Sequence, residues 1–124
     1  MKVLLDTHAL AWWASASPAL SPAARDAIAA TDAVVLVSAI SIYEASYKHK
    51  RGRWPEAGLL LADVNRYLQS QQFVPLPISL EHAEYAGALP TFHSDPFDRM
   101  LAAQALVEGL TIVSIDQALD QFGV

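Results

Sequence analysis

Short apolar runs alternate with helical stretches along the chain. Val3-Leu4-Leu5 stops on Asp6 and predicts a buried strand over 2–5. Thr7 is placed to cap a helix over 8–14, and Ser21-Pro22 combines a cap with a first-turn proline ahead of a helix to about Ala30. Ala33 to Val37, rich in valine, predicts a second buried strand. Ser41-Ile42-Tyr43-Glu44 fits the S-x-x-E capping box, so a helix should start there, run to Arg51 and stop at Gly52. Leu60, Val64, Tyr67 and Leu68 recur at helical spacing within 56–71. Phe73 to Ile78 predicts a strand that Pro75 and Pro77 confine to a short or edge position. Ser79 caps a helix to about Leu89. Asp95-Pro96 opens another that ends near Gly109, and Leu110 to Ile115 forms a last buried strand followed by Asp116.

Buried strands alternating with helices predict an α/β fold, a three-layer α/β/α arrangement around a central parallel sheet. With no repeat, low-complexity segment or linker, residues 1–124 read as a single domain. In such sheets ligands gather at the carboxyl ends of the strands. Asp6 and Asp116 follow two of those ends, and Glu44 and Asp98 lie near helix starts that should point the same way. Four acids are thus expected at one edge. Taken alone, Asp95 and Asp98 are better accounted for as helix-start residues that satisfy free N–H groups and the positive end of the helix dipole than as ligands.

Composition narrows the chemistry. The chain lacks cysteine, which excludes disulfides, thiolate metal sites and a cysteine nucleophile. Asp6 and His8 interrupt the apolar N-terminus where a signal peptide needs an unbroken run, and no stretch is long enough to span a membrane, so a soluble, cytoplasmic protein is expected. The net charge of −5 argues against a nucleic-acid partner, yet Lys48, Lys50, Arg51 and Arg53 crowd into six positions. That cluster is either a solvated helix end or a contact for RNA phosphates or for acids of a protein partner. Trp12, Trp13, Leu59, Leu60 and Leu61 belong either to the core or to a groove or dimer face.

Clustered carboxylates repel one another, so a cation or raised pKa values must relieve them. Oxygen-only donors suit Mg²⁺, with Mn²⁺ as a substitute, and such an ion can activate water for phosphodiester hydrolysis. On this reading Asp6, Asp98 and Asp116 hold the metal, and Glu44 binds a second ion or orients water. Asp95 is an outer partner, while Thr7 and Ser114 support the carboxylates by hydrogen bonds. His93 and Arg99 are candidate contacts for a nucleic-acid substrate or a protein partner.

Asp6 in VLLDTHALAWW, Glu44 in SAISIYEASYKHKRG, the HSDPFDRMLAAQA block and Ser114-Ile115-Asp116 resemble the PIN-domain nucleases, and among them the VapC-type toxins of bacterial toxin–antitoxin pairs. The likeness covers essentially the whole chain. It maps the family's acidic quartet onto Asp6, Glu44, Asp98 and Asp116, with Asp95 as an extra acid; Ser114 stands where the family usually has threonine. The resemblance implies a PIN fold and a Mg²⁺-dependent endoribonuclease that acts as a homodimeric toxin. It also implies neutralisation by a cognate VapB-type antitoxin. The alternatives are a metal-independent ribonuclease using His8, His49, His82 or His93, a phospho-receiver-like signalling domain, and a non-catalytic PIN-fold binding module. Of these histidines, His82 is expected to be a surface helix residue. The receiver reading is weakened by the lack of a lysine after the last strand.

Overall fold

The computed structural model describes residues 1–90 and 94–114. Strand β1 (Lys2–Leu5) pairs in parallel with β2 (Val34–Ser38) on one side and β4 (Thr111–Val113) on the other. Strand β3 (Val74–Leu76) adds to β2, giving the order β3-β2-β1-β4 among the described residues. Pro75 is tolerated because, among the described residues, β3 bonds to one neighbour, and Pro77 lies just past the strand's end, so the strand is short and peripheral as the two prolines implied.

The pleat separates two apolar layers, since successive side chains face opposite sides of a sheet. Val3, Leu5, Val35 and Val37 pack with Leu10 of α1 (Thr7–Ala14), Ile28 of α2 (Pro22–Ala29), Leu60 of α4 (Gly58–Ala62) and Leu68 of α5 (Val64–Gln71). Leu4 faces the other way, onto Leu101 and Ala105 of α7 (Pro96–Glu108), with Leu36 beside it. Helix α6 (Leu80–Ala88) lies against α7, and α3 (Ala39–Lys50) follows β2 directly. The result is the α/β/α sandwich with a parallel sheet that the alternating pattern predicted. Leu60 and Trp54 are buried, Trp12, Trp13 and Leu61 are half-buried, and Leu59 is exposed, so that apolar group is divided between core and surface.

Four local expectations are corrected. Asp6, not Thr7, caps α1, accepting from the Ala9 N–H at 2.7 Å. Helix α3 begins at Ala39 with Ser38 as its cap, so the S-x-x-E box at Ser41 is not formed and Ser41 lies buried inside the helix. The stretch 56–71 is not one helix: a 3₁₀ turn (Pro55–Ala57) leads into α4, and Asp63 caps a separate α5 by accepting from the Arg66 N–H. His82, expected at the surface, is buried. Its Nδ1 accepts from the Ser79 N–H at 3.0 Å while the Ser79 hydroxyl accepts from the His82 N–H, a capping box with histidine in the usual glutamate role. Among the described residues no helix is long and apolar enough to cross a membrane.

Candidate metal centre at the β1–β4 edge

The chain moves from β1 outward to β2 and β3, then returns to the other side of β1 as β4. The β1–β4 boundary is therefore the point where the winding direction reverses, where open parallel sheets place their ligands. Asp6 stands at that boundary, directly after β1. Its backbone N–H donates to the Val113 carbonyl at 3.0 Å, continuing the ladder one residue beyond the strand. Its side chain is 3% exposed. One oxygen, Oδ1, caps α1, and the other, Oδ2, accepts from the Ser114 hydroxyl at 2.7 Å. Ser114 thus supports a carboxylate as its position suggested. Thr7 does not: its hydroxyl donates to the Ser41 hydroxyl at 3.2 Å, tying α1 to α3.

Because α3 starts three residues earlier than its sequence pattern implied, Glu44 lies in the second turn rather than at the capping position. It faces inward, 6% exposed, with Lys48 Nζ 2.6 Å from its Oε2. Lys48 also lies over the Trp54 ring at 4.9 Å, so its charge is directed to Glu44 and not to solvent. On α7, Asp95 is the N-cap, accepting from the Phe97 N–H at 2.8 Å and the Asp98 N–H at 3.4 Å. Asp98 is at the third helical position, half-buried. The rings of Tyr43 and Phe97, each the residue before one of these acids, lie 5.8 Å apart and join α3 to the start of α7.

Asp116 and His93 lie outside the described residues. Among the described residues no three acidic or histidine side chains by themselves form a group able to hold an ion. The structure brings Asp6 and Ser114 into contact at the end of β1 and carries Glu44 and Asp98 on α3 and α7, two helices that meet through Tyr43 and Phe97.

Arg99, a candidate RNA or antitoxin contact, is bonded within the fold. Its guanidinium donates to the carbonyls of Ala86 at 2.8 Å, Leu89 at 2.9 Å and Gly87 at 3.3 Å, satisfying the open carbonyls at the end of α6. Nothing in the local sequence announces so remote a partner. The described histidines are likewise engaged. His8 packs edge-on against Trp12 and Trp54, His49 Nδ1 lies 2.7 Å from the Trp54 carbonyl, and His82 completes the α6 cap. Of the basic cluster, Arg51 lies over the Tyr47 ring at 3.5 Å, and Lys50 and Arg53 are exposed.

Comparison with known proteins identifies the family. The PIN-domain family model matches residues 3–124. Ribonuclease VapC22 of Mycobacterium tuberculosis is 34% identical over 118 residues, covering 94% of this chain and 88% of the relative. The crystal structure of VapBC2 from Rickettsia felis bound to a promoter DNA fragment superposes with a TM-score of 0.72 at 17% identity, covering 98% of this chain and 93% of that one. From the sheet order, the buried acid at its reversal point and this extent of similarity, the chain belongs to the PIN-domain family, within its VapC branch.

Proposed function

We propose that this protein is a Mg²⁺-dependent endoribonuclease of the VapC toxin type, hydrolysing RNA phosphodiester bonds and neutralised by a VapB-type antitoxin. The observation that carries the reading is the Asp6 carboxylate, buried at the sheet's reversal point and oriented from both sides by the Ala9 N–H and the Ser114 hydroxyl. The donor chemistry fits a hard divalent ion: the candidate groups are all carboxylates, two of them buried, and cysteine is absent from the chain. Asp6, Asp98 and Asp116 would hold Mg²⁺ or Mn²⁺, with Glu44 as a further ligand or water-orienting base. Bound there, the ion supplies a water nucleophile at neutral pH and offsets charge on the leaving oxygen.

The chain's own residues fix the donors. Ser114 and the first turn of α1 hold Asp6 in one orientation, and Lys48 Nζ, 2.6 Å from Oε2, fixes the Glu44 side chain. The similarity to Ribonuclease VapC22 supports RNA as substrate, the likeness to the VapBC2 structure supports an antitoxin partner, and a homodimer is part of the same proposal. The test is incubation of the purified protein with RNA in Mg²⁺ or EDTA, followed by end analysis. Cleavage with 5′-phosphate ends that disappears in EDTA is expected. Cleavage persisting in EDTA with 2′,3′-cyclic phosphate ends would overturn the metal reading.

A further inference from the structure

Helix α3 has an outward face that the proposed chemistry does not use. Tyr43 and Tyr47 are 60% and 44% exposed, and their rings run parallel within 9° at 6.3 Å between centroids. Phe97 continues the row at one end, beside Asp98, at 5.8 Å from Tyr43. The Arg51 guanidinium continues it at the other, 3.5 Å over the Tyr47 ring. Positions 43, 47 and 51 are each about one helical turn apart, a rise of about 6 Å per step. The inward face of the same helix carries Ser41, Glu44 and Ala45, all buried.

Exposed aromatic side chains are costly to leave in water unless something covers them. Here the row ends at cations: among the described residues, none of Lys50, Arg51 and Arg53 is paired with a carboxylate. Aromatic platforms next to unpaired cations are the means by which proteins hold single-stranded nucleic acid, with bases on the rings and phosphates on the cations. We propose that Phe97, Tyr43, Tyr47 and Arg51 form a stacking track that seats single-stranded RNA along α3. The bases lie on the two tyrosines, and the backbone runs from the Lys50–Arg53 cluster toward Asp98.

The proposal rests on RNA being the substrate, and its test is separable from cleavage. A fluorescein-labelled, mixed-sequence 12-nucleotide single-stranded RNA is titrated with the full chain in EDTA, with anisotropy as readout and a gel to show that the RNA is intact. Tyr43→Ala and Tyr47→Ala are each expected to weaken binding about fivefold or more, the range for losing one base–aromatic stack. Tyr43→Phe and Tyr47→Phe, which keep the ring, should stay within about twofold, and a duplex of the same length should not respond to any of them. Binding by the wild type with ring-dependent loss, but no cleavage in Mg²⁺, would uphold the track and remove the nuclease reading. Normal cleavage with unweakened binding by both alanine variants would overturn the track and leave the nuclease reading intact. An absence of single-strand binding by the wild type would overturn it. So would alanine variants that change the oligomeric state on size exclusion while binding RNA as before, because the face would then be a contact between copies of this chain.

Discussion

The Ser114 hydroxyl donates to Asp6 Oδ2 at 2.7 Å, joining residues 108 positions apart across the β1–β4 boundary. Asp6→Asn should abolish RNA cleavage and leave the fold nearly unchanged, because asparagine caps a helix about as well as aspartate. Ser114→Ala removes the donor and should slow cleavage by about tenfold, the scale of one lost hydrogen bond to a charged group. Ser114→Thr retains the hydroxyl and should restore the rate. Single-turnover cleavage together with thermal melts separates chemistry from folding; full activity in Asp6→Asn would remove this carboxylate from the site.

If the acids hold a divalent ion, binding it stabilises the folded state by mass action. Adding Mg²⁺ at about 100 times its dissociation constant should contribute about 2.7 kcal/mol and raise Tm. The same addition should do little for a variant carrying Asp6→Asn and Asp98→Asn together. Differential scanning fluorimetry reads this without any RNA, and equal shifts in both proteins would assign the ion to another place.

Glu44 and Lys48 form a largely inward-facing pair. Lys48→Met leaves a buried carboxylate without its cation and should destabilise the protein by about 1–3 kcal/mol. Glu44→Gln combined with Lys48→Met should lose less than the sum of the two single changes, because groups in contact are not additive. A denaturant-based double-mutant cycle measures the difference, and strict additivity would mean that the pair carries no coupling.

Arg99 is expected to matter for stability rather than for RNA affinity. Arg99→Ala leaves the last carbonyls of α6 unmet and should cost about 2 kcal/mol, and Arg99→Lys should rescue little because an ammonium cannot reproduce the planar fork. Equilibrium unfolding supplies the energies and RNA titration the contrast. A large affinity loss with unchanged stability would return Arg99 to the surface.

Tyr67 gives a pH signature. Burial against the core raises its phenol above the ordinary value, favouring the neutral form in the folded protein. A group whose folded pKa is raised contributes stability that is complete below its unfolded pKa and is lost as pH rises through the folded value. Stability should therefore decline at strongly alkaline pH, less steeply in Tyr67→Phe, as followed by unfolding curves across that range.

The sheet was readable because each strand is a short apolar run between turn residues, and the two prolines marked β3 as peripheral. The boundaries were less so. Ser38 and Ser41 both precede helical pattern, and only tertiary packing decides between them: starting at Ala39 places Ser41 inside the helix, with its hydroxyl accepting from Thr7. Asp63 divided an apparently continuous helix because its side chain met a backbone N–H, which spacing of apolar residues does not register. Arg99 found its carbonyl partners through packing of α6 on α7 that no local motif encodes, and His82, besides its local bonds to Ser79, meets Gln104 of α7. At the site, Asp6 and its alliance with Ser114 followed from the strand ends, while the retention of Lys48 by Glu44 did not.

Among the described residues, strand β4 meets β1 over three residue pairs. Ser114 reaches Asp6 from the end of that brief seam, so a partial parting of β4 would free one oxygen of the carboxylate while the two apolar layers stayed shut. Opening of this kind takes less energy than global melting. Warming should therefore silence the protein before it unfolds, and amide exchange at Val113 and Asp6 should quicken in step with the fading activity.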